Sequence, residues 1–78
     1  MDSRAHIIQI IRKVSGKDIT PEVEESLFES GLLDSFALPD MVSALEREFA
    51  ISIPDSDLSP RKFDSVARIE AYLETRRN

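Results

Sequence analysis

The chain contains no cysteine. It therefore has no disulfide framework and no thiolate chemistry of its own, and the absence is compatible with a reducing compartment. Long apolar runs are missing as well. The longest are a few residues, far short of the roughly 20 that span a bilayer. The start, Met1-Asp2-Ser3-Arg4, has no basic region leading into an apolar stretch, so no secretory signal is expected and the expected compartment is the cytoplasm. Length is scarce too. With 78 residues the expectation is one domain, residues 1–78. A chain of this size buries only about 60–65% of the surface that it exposes when unfolded. Its core is one thin layer between a few helices, and a water-excluding reaction chamber is hard to build. That weighs against an enzyme.

What is present has an ordinary globular balance, with 41% hydrophobic and 32% charged residues. Ten Lys and Arg stand against 15 Asp and Glu, for a formal net charge of −5. Such a surface repels nucleic acid and anionic lipid and attracts basic protein surfaces. The expected partners are proteins, with no nucleic acid and no membrane insertion.

Hydrophobic spacing predicts an all-α chain. Residues 3–14 read as a helix with Ser3 as N-cap and Ile7, Ile8, Ile11 and Val14 on one face, widened by Ile10; Gly16 is its stop. Residues 16–34 form a long connection without periodicity. Thr20-Pro21-Glu22 suits the start of a short turn capped by Thr20. A loop of this length in a compact domain is functional or pinned by its own side chains, and Ile19, Leu27, Phe28, Leu32 and Leu33 are the candidate pins. Residues 41–49 give the clearest helix, with Met41, Val42, Leu45 and Phe49 as its stripe. Ile51-Ser52-Ile53 alternates like a strand but is too short for a sheet. A short helix is expected within 58–63, entered or broken at Pro60. Asp64 or Ser65 caps a last helix that buries Val66, Ile69, Tyr72 and Leu73, with Arg76 and Arg77 at its cation-favouring end. The expected architecture is three main helices plus a short fourth, an antiparallel bundle crossed by a long first loop.

The informative stretch is Gly31-Leu32-Leu33-Asp34-Ser35-Phe36. Leu32 and Leu33 anchor the end of the loop, and Asp34-Ser35 stands at the entrance to the acidic helix. This segment resembles the phosphopantetheine attachment site of acyl carrier proteins, whose usual pattern is Asp-Ser-Leu. The resemblance runs on through residues 41–49, Ile53-Pro54-Asp55, Phe63-Asp64-Ser65-Val66 and residues 69–73. It covers nearly the whole chain.

The resemblance implies that Ser35 accepts 4′-phosphopantetheine from coenzyme A, moved by a separate transferase that supplies Mg²⁺ and the catalytic groups. A serine at a helix N-terminus would also set the new anion beside free N–H groups. A flexible arm presents one tethered cargo to several enzymes at high effective concentration. Asp34 helps the transferase dock, by the same resemblance. Asp40, Glu46 and Glu48 match acidic positions that meet basic partners, where such charges steer association. Phe36 and Met41 are candidates for contact with the arm or a partner. Beyond the transferase, the implied partners are a loading ligase or acyltransferase and downstream acceptor enzymes. The carrier itself is expected to be a monomer and a substrate rather than an enzyme.

Some positions depart from the common pattern. Phe36 replaces the usual Leu, and Gly-Leu-Leu-Asp-Ser-Phe looks more like the D-alanyl carrier branch. An amino-acid cargo, D-alanine included, fits that segment, while a fatty-acyl or polyketide acid fits the broader resemblance. Ala37 stands where many fatty-acid carriers have an acid, and Arg47 puts a cation in the acidic helix. Pro39 disfavours helical backbone at Leu38 and has no N–H to donate. The regular helix is expected to begin near Pro39, with residues 35–38 in a turn before it.

Plainer readings stand beside these. By local propensity alone Ser35 is a helix cap. Asp64-Ser65 is a second Asp-Ser pair, read as a cap. The acidic stripe on its own is a solvated face. His6, the only histidine, belongs at a helix margin. A serine hydrolase needs a base beside its nucleophile, and no Gly-x-Ser-x-Gly elbow is present. Asp55-Ser56-Asp57 opens like a calcium loop, but Pro60 and Val66 stand where that loop needs Gly and Glu. The rival to a carrier is an acidic helical interaction module whose Ser35 is never modified.

Overall fold

The computed structural model describes residues 3–76, and every regular element in that span is helical. Helix α1 (Ser3–Ser15) buries Ile7, Ile10 and Ile11, with Ile8 and Val14 partly buried against the core. Ile7, Ile10, Ile11 and Val14 are the i, i+3, i+4, i+7 set of one face, so Ile10 is central and Ile8 marginal, the reverse of the expected stripe. The wider face follows from position, because α1 packs against both of the other long helices. Ser3 is the first described residue of α1. Gly16 ends α1 as expected, with φ of 71° and its N–H on Arg12 O at 2.9 Å.

The long connection crosses the molecule without a helix. Leu27, Leu32 and Leu33 are buried and Phe28 packs partly against the core. Ile19 was an expected pin but is about half exposed, at 51%. Its neighbours explain this. Arg12, on the polar side of α1, donates to Thr20 Oγ1 and lies 3.7 Å from Asp18 Oδ1, which holds residues 18–20 on that outer side. Among the described residues Thr20 caps no turn. The turn that follows closes between Glu22 and Glu25 instead, with Glu25 N–H on Glu22 O and Glu22 N–H on Glu25 Oε1.

Helix α2 (Leu38–Phe49) buries Leu38, Met41, Val42, Ala44 and Leu45. It ends at Ala50, in left-handed backbone with φ of 54°, whose N–H reaches Glu46 O. Residues 51–53 form no strand. Two 3₁₀ turns follow, Asp55–Asp57 and Pro60–Phe63. The second is the expected short helix entered at Pro60; the first had no sequence signal. Helix α3 (Val66–Arg76) buries Val66, Ile69 and Leu73. Arg77 lies outside the described residues. No helix among the described residues is long and apolar enough to cross a membrane.

Asp64 and Ser65 divide the capping work. Ser65 Oγ accepts the Arg68 N–H at 3.1 Å and caps α3. Asp64 instead turns to the long loop. Its Oδ1 accepts from Ser26 Oγ at 2.8 Å and from Phe28 N–H at 3.4 Å, and its carbonyl accepts the Leu27 N–H at 2.6 Å. Ala67 N–H on Val23 O, at 2.9 Å, adds a further link. The loop is thus stapled to the start of α3.

A second clamp holds the 3₁₀ region. Tyr72 OH donates to Asp57 Oδ2 at 2.6 Å, Lys62 Nζ to Asp57 Oδ1 at 3.0 Å, and Arg76 Nη2 to Ser52 O at 3.1 Å. The Tyr72 ring meets the fully buried Phe63 edge-on, with centroids 5.0 Å apart. The Tyr72 hydrogen bond, then that from Lys62, holds the Asp57 carboxyl below the ordinary carboxylate range. Burial, then the bond to Asp57, pushes the Tyr72 phenol up to about 12.

Two outcomes follow from these clamps. Asp64→Ala, which leaves the Ser26 and Phe28 donors without their acceptor, is expected to cost about 1–3 kcal/mol in urea unfolding. Amide exchange should quicken first in residues 26–33. The Asp57–Tyr72 pair contributes to stability at both ends of the pH range. Asp57 contributes stability above its unfolded value near pH 4, which is lost as pH falls through its lower folded value. Tyr72 contributes stability below its unfolded value near 10, lost as pH rises from there toward about 12. Tyr72→Phe should abolish the alkaline loss and weaken the acid one, read as Tm against pH.

Candidate functional site

The long loop ends at Gly31, whose φ of 84° is left-handed backbone that favours glycine. Leu32 and Leu33 then turn inward, at 8% and 3% exposure. Leu33 N–H donates to Leu27 O at 2.9 Å, so the last pin hangs on the same residue that Asp64 holds. Asp34 emerges from this anchored segment into solvent.

Residues 35–37 form a turn, and α2 starts at Leu38. The expected arrangement, a turn ahead of a helix beginning near Pro39, is what the structure has. Leu38 is helical despite the proline after it, because its side chain is buried in the core. Asp34 closes the turn twice, accepting the Ala37 N–H on its carbonyl and on Oδ1, each at 3.0 Å. Leu38 N–H reaches Ser35 O at 3.4 Å and Met41 N–H reaches Ala37 O at 2.9 Å. Ser35 is thus the first residue of a turn capped by Asp34. It is exposed, and its hydroxyl has no hydrogen-bond partner among the described residues. Phe36, beside it, is 87% exposed. A bare aromatic ring next to a free hydroxyl suits a surface that is covered on contact with another molecule.

The acidic residues of α2 have unlike surroundings. Asp40 is exposed and makes no side-chain bond among the described residues. Glu46 turns inward, its Oε2 accepting the Ile53 N–H at 2.7 Å. Glu48 Oε1 lies 2.9 Å from His6 Nε2, and the His6 ring packs on Phe49 with centroids 5.1 Å apart. His6 thereby joins α1 to the end of α2 at a half-buried margin, as expected. Met41 does not belong to this surface. The expectation that it meets an arm or a partner is corrected by its complete burial, because its position on α2 faces the core.

A cleft of about 330 Å³ lies against the turn, lined by Lys17, Gly31, Asp34, Phe36, Ala37 and Asp40 among others. Lys17 Nζ donates to Gly31 O at 3.1 Å and ties the beginning of the long loop to its end. Sequence reasoning missed Lys17. Its only signal was a cation directly after the Gly16 stop, and nothing in one dimension places residue 17 beside residue 31.

The model of a family described as phosphopantetheine attachment site matches residues 5–73. Among similar proteins, the D-alanyl carrier protein of Lactobacillus acidophilus is 30% identical over 78 residues, covering all of this chain and 99% of its own length. That of Lactobacillus helveticus matches to the same extent. The D-alanyl carrier protein of Leuconostoc mesenteroides is 31% identical over 75 residues, 96% of each chain.

The capping role of Asp34 has a direct check. Asparagine caps as well as aspartate, whereas alanine cannot accept the Ala37 N–H on its side chain. Asp34→Asn should leave unfolding in urea unchanged. Asp34→Ala should cost about 1 kcal/mol and broaden the amide resonances of residues 35–37.

Proposed function

Because the chain belongs to the family of proteins with a phosphopantetheine attachment site, we propose that Ser35 is its attachment residue and that its cargo is a small amino acid, D-alanine first. The protein is a carrier with covalently attached 4′-phosphopantetheine. When bound, that group supplies a thiol on a flexible arm, where the cargo is held as a thioester.

The residues at the turn fit the group. The observation that carries the assignment is the exposed, unpartnered hydroxyl of Ser35 on the Asp34-capped turn. The other Asp-Ser pair supports it by contrast, since Ser65 is 5% exposed and its hydroxyl oxygen holds the Arg68 N–H. Asp34 fixes the backbone on which Ser35 stands and leaves an exposed carboxylate beside it. Phe36 and Asp40 offer an apolar and an acidic contact to the enzymes that modify, load and unload the carrier, with Glu48 at the margin of that face. Glu46, bonded to Ile53, has a positioning part in this reading rather than a docking one.

The carrier is a substrate of other enzymes. Its partners are a phosphopantetheinyl transferase, a ligase that activates and loads the amino acid, and an acceptor enzyme. It works as a monomer in the cytoplasm. The amino-acid cargo rests on two supports. Similar proteins carry the name D-alanyl carrier protein and match the chain along its length. The Gly31-to-Phe36 segment, Gly-Leu-Leu-Asp-Ser-Phe, resembles the attachment segment of the D-alanyl carrier branch.

The test is intact-protein mass after incubation with coenzyme A, Mg²⁺ and a broad-specificity phosphopantetheinyl transferase. The parent should gain one phosphopantetheine and Ser35→Ala none, with equal helical circular dichroism. The modified parent is then offered D-alanine, ATP and a D-alanine-activating ligase, and in parallel malonyl and fatty-acyl loading enzymes. Loading by the first alone is expected. Loading only by the acyl enzymes would overturn the cargo, and no mass gain in a folded parent would overturn Ser35.

A further inference from the structure

We propose that Lys17 is the counter-cation of the phosphodiester on Ser35, a positioning residue for the root of the arm; this rests on Ser35 being the attachment residue. Modification adds a negative charge to a turn that already carries Asp34, with Asp40 a few residues into the helix. Like charges this close repel, and the usual remedy at a helix start is its free N–H groups. Here that remedy is only partly in use, with the Ser35 and Phe36 N–H groups left without a partner among the described residues. The Ala37 N–H is bonded to Asp34, the Leu38 N–H to the carbonyl of Ser35 itself, and Pro39 has none. The regular helix also begins only at Leu38, so its dipole starts beyond the serine.

A cation is a further source of compensation, and Lys17 is the one that lines the cleft against the turn. Its ammonium makes one hydrogen bond, to Gly31 O at 3.1 Å, and no carboxylate lies within ion-pair distance of it among the described residues. Three donors allow the ammonium to keep the Gly31 carbonyl and take a phosphate oxygen as well. The neighbouring Arg12 is differently placed, already engaged with Thr20 and Asp18. Gly31 fixes the near end of this arrangement, because it opens the same anchored segment that ends in Asp34. The consequence is an arm whose root is held over the cleft while its far end stays free.

The experiment compares the parent, Lys17→Gln and Lys17→Arg, each before and after modification, with mass confirming the modified state. Lys17→Gln weakens the tie to Gly31 equally in both states, so a purely structural lysine changes both melting temperatures and leaves their difference alone. Under the proposal, the change in Tm on modification is lower in Lys17→Gln than in the parent by about 1–6 °C at low salt, the range of an exposed ion pair in a domain of this size. Lys17→Arg restores the parent value, and about 1 M salt erases the gap. The side-chain ¹⁵Nζ resonance of Lys17 in the parent shifts on modification. Equal changes in Tm in all three proteins, with an unmoved Lys17 resonance, overturn the role of Lys17 while leaving Ser35 standing. Failure of every protein to gain mass overturns both.

Discussion

Three consecutive residues of the long loop hang on Asp64. Ser26 and Phe28 reach its carboxylate and Leu27 its carbonyl, and the rest of the site inherits its position from that contact. Leu27 is fully buried beneath the staple and accepts the Leu33 N–H. Leu33 ends the inward-facing pair, Asp34 follows, and the turn that carries Ser35 follows Asp34. A chain of this size has only a thin core with which to order a loop without regular structure. Burying a leucine contributes about 1.5–3 kcal/mol, and ordering a backbone residue costs about 1–2. Leu27, Leu32 and Leu33 alone cannot order the whole connection. The Asp64 staple, the Ala67–Val23 link and the Lys17–Gly31 tie complete it.

The helices were legible because each carries a 3.6-residue pattern with a chemical boundary mark: Gly16 after α1, Pro39 at the start of α2, Ser65 before α3. The candidate site was legible for another reason. Asp34-Ser35 lies at a place where a loop rich in leucine meets an acidic helix, and the resemblance to a known attachment segment drew attention to it. What stayed hidden depends on three-dimensional choice between equals. Asp64 and Ser65 both suit a cap, and only the passing loop decides that Asp64 serves it instead. Ile19 reads as a pin until Arg12 is seen holding Asp18 and Thr20 on the outer side of α1. Met41 reads as a surface candidate by its nearness to Ser35, but α2 turns it fully into the core. Distance along a helix and direction from it are separate matters.

The acidic face of α2 shows the same division of labour. Three carboxylates look alike in sequence, yet two already have work inside the molecule. Glu46 holds the Ile53 amide and so fixes the chain as it leaves the helix, while Glu48 meets His6 and ties α2 to α1. Asp40 alone is unengaged among the described residues, and it lies nearest the turn. The free charge and the bare Phe36 ring are thus gathered around Ser35, while acids farther along hold the scaffold. Contacts that steer and select partners need side chains that are free to be met, and on α2 those stand at the N-terminal end.

With Ser35 as the proposed attachment residue, Pro39 would let modification and folding stay independent. Had the helix begun at Ser35, its hydroxyl would have been drawn into capping the first turn, as Ser65 is drawn into capping α3. A capping hydroxyl is engaged with a backbone amide, and altering it would cost about 1 kcal/mol of helix stability. With Pro39 in the first turn, α2 begins at Leu38 and one of the N–H groups that would need an acceptor there is absent. Asp34 takes over the Ala37 amide, which a serine would otherwise serve. The hydroxyl of Ser35 is left outside the hydrogen bonds that hold the fold. The same displacement sets it ahead of the regular helix, and under the proposal the charge brought by modification would then be met by side chains, with Lys17 the cation lining the adjacent cleft.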